Sequence, residues 1–284
     1  MKVCVTGASG RAGRAVVTEL LAHGHQVTAT DIALPPPGGN EGLNRRDFVL
    51  ADLTDFGQAI EVLSGSEAVI HMANIASAGQ RTPAVTFNNN VTMNFNVFTA
   101  AAQLPLHRVV WASSETTLGL PFDEPPMYAP VDEEHYPFPT STYALSKVAS
   151  ETVATHVARW SGIPFIALRF SNILGPADYP SFPGYWADPL LRKWNLWGYI
   201  DERDAATAAR LALTADVTGS ESVIIAAADT VMNRPSAELM AEVFPAVPVR
   251  SIDGTGTGTL LSIAKARRLL GFTPAHSWRN HVAG

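Results

Sequence analysis

Tyr143 and Lys147 stand four residues apart in the stretch STYALSKVASE, Ser141 to Glu151. Residues at i and i+4 share one helical face, so a phenol and an ammonium on the first turns of a helix can converge on one point. A tyrosine with a reference pKa of about 10 is a poor base near neutrality. A nearby cation favours the phenolate, and the positive ring of an oxidised nicotinamide adds to the effect. A drop of about two to three pKa units takes roughly 3 to 4 kcal/mol of differential stabilisation. Such a phenolate can take the proton of a secondary alcohol as hydride leaves its carbon, while the same ammonium holds a ribose. A third group must hold the substrate oxygen, and the stretch RVVWASSETTLG offers two hydroxyls at a strand end, Ser113 and Ser114. Ser114 is the choice. Taken singly, each residue has an ordinary structural reading; their combination in order with a glycine turn is what points to chemistry.

That turn is TGASGRAG, Thr6 to Gly13, with glycines at 7, 10 and 13 directly after a β-branched run. Glycines there allow a tight turn, a close approach of backbone to a pyrophosphate and close helix–strand packing, and the helix start offers unpaired N–H groups to the anion. Gly7, Ser9, Gly10, Arg11, Ala12 and Gly13 are therefore expected to line a dinucleotide's phosphates. About twenty positions on, Asp31 ends QVTATD, where a carboxylate accepts from both ribose hydroxyls and repels a 2′-phosphate. NAD is favoured over NADP, although Arg45 and Arg46 stand on the following loop. Asp52, with Leu53 in the stretch LADL, is placed to contact the adenine; a solvated loop acid is the competing reading.

These groups need a scaffold that brings distant segments to one edge. The runs KVCVTG, QVTATD, RRDFVLADL, EAVIHMA, RVVWASS, PFIALRFS and SVIIAA read as seven strands. Between them lie helical stretches, including one from about Ala84 to Leu104, the one bearing Tyr143, and one from Asp204 to Ala215. Alternating strands and helices imply right-handed crossovers and an α/β fold, a doubly wound Rossmann parallel sheet. Residues 1–170, with about 198–228, form the expected dinucleotide-binding part. Residues 171–197, dense in Pro, Gly and aromatics, and 229–284, broken by DGTGTGT, form an expected small substrate lobe over the C-terminal edge of the sheet.

Composition narrows the classes. The chain has 284 residues, 16% charged and 46% hydrophobic, with a net charge of −6, which leaves no electrostatic footprint for nucleic acid or an anionic membrane. Cys4 is the single cysteine and lies in an apolar run, so it reads as a core thiol; the eight histidines lack ligand spacing, and no metal site is expected. The start MKVCVTG is already a strand and no apolar run approaches membrane-spanning length, so a cytoplasmic location is the default expectation.

The motifs TGASGRAG, ADL, VIHMAN, NNNVTMNFNVFTAA, VVWASSETTLG, YALSK, LRFSNILGP, YIDERDAATAARLAL and ARRLLGFTP resemble, in order and approximate spacing, the extended short-chain dehydrogenases that include the NAD-dependent sugar epimerases and dehydratases. The resemblance implies that Ser114, Tyr143 and Lys147 form the triad, that Ala73 lines the cofactor, that Asn90 supports the active-site lysine and that Asn172 faces the substrate, with Ser113 and Glu115 beside it. It implies a small-molecule carbohydrate substrate, and dimerisation through the helix before RVVWASS and the helix bearing Tyr143. Three departures refine it. Where the sugar dehydratases carry Thr-Asp-Glu, this chain has Ser114, Glu115 and Thr116, which argues against dehydration. Trp197 stands where the epimerases' diphosphate arginine belongs, and Arg250 alone is near the place of a second. The stretch ASSETTLG resembles uronate dehydrogenase, which makes a free sugar or sugar acid an alternative substrate, with Arg192 or Lys193 to hold a carboxylate. The reading leans slightly to epimerisation of a sugar or sugar nucleotide, with net oxidation of a free sugar or uronate next and a non-catalytic dinucleotide-binding protein last. The aromatic cluster Tyr179, Phe182, Tyr185, Trp186, Trp194 and Trp197 suits either sugar stacking or a lobe core.

Overall fold

The computed structural model describes residues 1–252 and 256–282. Seven strands form one parallel sheet: β1 (Lys2–Thr6), β2 (Gln26–Asp31), β3 (Phe48–Leu50), β4 (Ala68–His71), β5 (Arg108–Ser114), β6 (Phe165–Phe170) and β9 (Ser220–Ile225), in the spatial order β3-β2-β1-β4-β5-β6-β9. β1, β4 and β6 are buried nearly throughout, as strands covered on both faces must be. The order reverses between β1 and β4, and that switch point opens a crevice at the carboxyl ends of the strands.

Helices cover both faces. On one side lie α1 (Arg11–Ala22) and α5 (Glu202–Ala212), which pack together and are tied by Arg210 to Glu19 at 2.7 Å. On the other lie α2 (Phe56–Leu63), α3 (Pro83–Gln103) and α4 (Thr142–Ser161), whose apolar faces meet Cys4, Val69, Trp111 and Phe165 in a second core. Ser141 caps α4, its hydroxyl accepting from Ala144 N at 3.1 Å, and Gly162 ends it with a φ of 74°. Tyr143 and Lys147 thus occupy its first two turns.

The expected third strand is shorter than its apolar run: Arg45–Asp47 form a 3₁₀ turn and only Phe48–Leu50 pair with β2. A two-stranded parallel pair that the sequence did not announce, β7 (Ile173–Leu174) with β8 (Ile200–Asp201), frames the lobe segment. Within that segment Tyr179–Tyr185 and Pro189–Asn195 are 3₁₀ turns, and the last part adds α6 (Ser236–Val243) and α7 (Ala264–Leu270). Of the DGTGTGT break, residues 253–255 lie outside the described residues. Among the described residues no helix is long and apolar enough to cross a membrane.

Candidate active site

The glycine turn is built to the limits of sterics. Gly7 has a φ of +66°, and a Cβ on it would sit 2.5 Å from the Ala73 backbone nitrogen. A Cβ on Gly13 would sit 2.1 Å from the Gly7 carbonyl oxygen. Helix α1 therefore starts as close to β1 and β4 as backbone permits. Its N-cap, Gly10, brings no side-chain capping bond, so the first N–H groups of Arg11, Ala12 and Gly13 are left without a side-chain acceptor at the carboxyl end of β1. Ser9 donates its N–H to Asp31 Oδ2 at 2.9 Å and its hydroxyl to the Ala33 carbonyl at 2.6 Å. Ile32 N–H donates to Asp31 Oδ1 at 2.7 Å. A carboxylate offers about four acceptor sites, so Asp31 keeps about two for a diol. A cradle that a Cβ would fill, an uncapped helix start and a carboxylate at the tip of β2 fit a dinucleotide without a 2′-phosphate. Arg45 and Arg46 are exposed in their 3₁₀ turn.

Other expected cofactor positions are placed less uniformly. Arg11 reaches across to the lobe segment, donating to Asp178 Oδ2 at 2.5 Å and the Ile173 carbonyl at 3.4 Å. Exposed Asp52 accepts from the Thr54 N–H (2.9 Å) and hydroxyl (2.7 Å) in a local turn. Leu53 buries its side chain in the core and gives its carbonyl to Asn96, so only its backbone can meet an adenine. Ala73 donates its N–H to Thr6 Oγ1 at 3.3 Å. The Asn90 carboxamide clasps Ile75, accepting from its N–H at 2.8 Å and donating to its carbonyl at 3.1 Å, and it reaches Ser146 Oγ, one residue before Lys147, at 3.4 Å. Lys147 Nζ donates to the Ala112 carbonyl at 2.6 Å, on β5 two residues before Ser114.

Ser114, Tyr143 and Lys147 come together at the ends of β5 and α4. Ser114 Oγ accepts from the Thr116 N–H at 3.2 Å and hydroxyl at 2.9 Å, and its hydroxyl favours the ionised form of the Tyr143 side chain. The lysine nitrogen lies 5.6 Å from the centre of the Tyr143 ring and 5.9 Å from that of Trp111. Burial pushes the phenol up to about 12, Ser114 pulling against it and Glu115 adding to it. Burial likewise brings Lys147 down to about 7, with Glu151 pulling it up. The protein's own side chains therefore hold Tyr143 as a phenol. The base form has to wait for positive charge, from a protonated Lys147 and from a bound cationic ring.

Ser113 faces the other way, donating to Glu151 Oε1 at 2.6 Å, and Glu151 is held by Arg169 at 3.0 and 2.7 Å. That removes Ser113 from the substrate side. Glu151 was missed, although its spacing at i+4 from Lys147 and i+8 from Tyr143 places it on their helical face.

Glu115 is 3% exposed; its Oε1 accepts from Asn195 Nδ2 at 3.2 Å, and Asn172, itself partly exposed, supports it by a backbone hydrogen bond. Burial pushes its carboxyl up to about 7 against these bonds and the Arg192 charge. Arg192 is also buried, over the rings of Tyr185 (5.4 Å) and Trp194 (4.9 Å), donating to the Gly198 carbonyl at 3.1 Å. Its Nε is buried without a hydrogen-bond partner among the described residues. Leu196 and Trp197 both take left-handed conformations (φ 52° and 56°), and the bend returns Gly198 to Arg192 and Asn195. Asn195 has no motif to announce it. Tyr179, Phe182 and Trp197 are buried in the lobe core, Tyr179 and Phe182 against Tyr199, Phe182 also against Trp278, and Trp197 against Phe244. Arg250, 56% exposed, pairs with Asp132 at 3.3 Å and stacks on Tyr128 at 3.7 Å.

Residues 3–226 match the family described as the NAD dependent epimerase/dehydratase family. The chain belongs to that family. A putative UDP-glucose 4-epimerase of Methanocaldococcus jannaschii is 30% identical over 183 residues, 63% of this chain and 58% of that protein. The chain spans between 52% and 58% of the length of the first curated relatives it matches. A short-chain dehydrogenase/reductase superfamily protein from Agrobacterium tumefaciens with bound NAD superposes with a TM-score of 0.75 at 22% identity, covering 99% of this chain and 94% of that one. A mutated uronate dehydrogenase superposes with a TM-score of 0.70 at 21% identity, covering 99% and 85%. These likenesses establish the fold, and NAD is the cofactor that goes with the family.

Proposed function

We propose that the protein is an NAD-dependent oxidoreductase acting at a secondary carbinol of a carbohydrate that carries a carboxylate in place of a nucleotide diphosphate. The observation that carries this reading is Arg192, a buried guanidinium with an unpartnered Nε beside the half-neutral carboxyl of Glu115. A buried cation without full compensation is costly and favours an incoming anion. The two places for a diphosphate arginine hold Trp197, buried in the lobe core with its Nε1 on the Pro189 carbonyl, and Arg250, engaged by Asp132 and Tyr128. The uronate dehydrogenase among the structural relatives agrees in substrate class.

When bound, NAD supplies the hydride acceptor. Gly7, the start of α1 and Asp31 hold it, Ser114 holds the substrate hydroxyl oxygen, and Tyr143 takes its proton while Lys147 stabilises the phenolate. A second reading, epimerisation of a sugar nucleotide, is favoured by the curated relatives, all four of the first being UDP-glucose 4-epimerases by name. The test supplies NAD with uronates, neutral aldoses and UDP-sugars and follows both absorbance at 340 nm and product. The proposal predicts NADH accumulation with a sugar acid, and an Arg192→Met variant that raises KM for the acid by about tenfold or more. Turnover of UDP-sugars alone, without NADH, contradicts it.

A further inference from the structure

Lys147 and Glu151 hang from neighbouring residues of one strand. The lysine Nζ donates to the Ala112 carbonyl at 2.6 Å, and the next residue of β5, Ser113, donates its hydroxyl to Glu151 Oε1 at 2.6 Å. Glu151 also stands one turn beyond Lys147 on the same face of α4. Both of its oxygens go to Arg169, which lies opposite Ser113 on β6: Oε1 accepts from Nε at 3.0 Å and Oε2 from Nη2 at 2.7 Å. Stability alone does not account for this cluster. A buried ion pair is often no more stabilising than apolar side chains of the same volume, and Arg169, 4% exposed, leaves its Nη1 without a hydrogen-bond partner among the described residues.

The other groups around Lys147 leave Glu151 as its anion. Helix α3, packed along α4, carries no titratable side chain. His71 on β4 is held between Thr6 and Asn94, and burial brings it down to about 3, so it is neutral. Glu115, after β5, acts on Tyr143; Glu133 faces Arg169 and accepts from the Ile224 N–H at 2.8 Å; Glu221 on β9 pairs with Lys265 at 2.7 Å. An anion nearby favours the ammonium, and Glu151 pulls Lys147 in that direction against burial. We propose that Glu151, tethered by Ser113 and drawn toward β6 by Arg169, is a positioning residue for Lys147: it holds the lysine as an ammonium yet keeps its own carboxylate off the nitrogen, so that the charge serves Tyr143. The service to Tyr143 rests on the proposed function; the coupling of Glu151 to Lys147 does not.

The chain has four lysines, Lys2, Lys147, Lys193 and Lys265, so protein labelled with carbon-13 at the lysine Cε gives few signals, and the one lost in Lys147→Met belongs to Lys147. Its titration is followed in the whole protein without ligand, in wild type, Glu151→Gln and Arg169→Met, with Tm as the measure of folding. The wild-type midpoint is expected at about 7. Glu151→Gln should lower it by about one unit, and Arg169→Met, which releases the carboxylate toward the nitrogen, should raise it by about as much. Both substitutions break the same ion pair, so a purely structural pair would lower Tm in both without moving the midpoint in opposite directions. A midpoint unmoved or raised in Glu151→Gln, or unmoved or lowered in Arg169→Met, overturns the assignment. With NAD and a sugar acid, the alkaline limb of kcat/KM should follow the Lys147 midpoint across the variants; a limb that stays in place overturns the link to Tyr143. If the midpoints shift as expected while the wild type oxidises no sugar acid, the proposed function falls and the coupling stands.

Discussion

Glu115 shows what one residue's surroundings do to chemistry read from its type. The resemblance sets it in the Ser-Glu-Thr run that stands where the sugar dehydratases carry Thr-Asp-Glu; the structure makes it a buried carboxyl, pushed up to about 7 by burial against Ser171, Asn195, Arg192 and Asn172. A carboxyl whose folded pKa is raised binds its proton more tightly in the native state. Its contribution to stability is present below its ordinary value of about 4.5 and is lost as pH rises through about 7, a loss of roughly 3 kcal/mol for a shift of this size. Glu115→Gln is therefore expected to lessen the fall in stability between pH 5 and 8, measured by urea unfolding across that range; an unchanged slope would show that the carboxyl is not buried as described. At this scale the convergence of Ser114, Tyr143 and Lys147 and the tight glycine turn were legible from residue type and spacing. The partners were not. Lys147 rests on a backbone carbonyl, which no side chain announces, and Ser113 and Ser114 differ only in which face of β5 they occupy, which the sequence left open.

The elements set those faces. Strand β5 alternates its side chains, so Ser114 meets the Tyr143 phenol while Ser113 goes to Glu151, and α4 presents Tyr143, Lys147 and Glu151 on successive turns of one face. Helix α1 depends on Gly13 for its contact with the turn it caps. Gly13→Ala is expected to shift α1 away from β1, because a methyl cannot share space with the Gly7 carbonyl 2.1 Å away. Dinucleotide affinity should fall by about 100-fold or more, with circular dichroism near that of wild type; retained affinity would remove α1 from the phosphate site. The sheet strands and major helices follow from apolar periodicity, whereas β7 and β8 do not. Each is two residues long, below any periodic signal, and they pair with each other, apart from the main sheet, where the lobe segment leaves and returns.

At the scale of the molecule, the proposed site lies where β5, α4, the glycine turn and the lobe meet, and on that proposal the charge of Tyr143 is a property of the assembly. Protein atoms alone hold the phenol at about 12 and the lysine at about 7. On the proposed function, a phenolate at Tyr143 would need a cation brought in by the ligand together with the one that Lys147 supplies. The direct test is the ultraviolet titration of Tyr143, read near 295 nm as the difference between wild type and Tyr143→Phe, with and without saturating oxidised NAD. The account predicts a phenolate midpoint above pH 11 in the free protein, a fall of at least about two units with NAD bound, and loss of most of that fall in Lys147→Met. A midpoint that neither NAD nor Lys147 moves would contradict it.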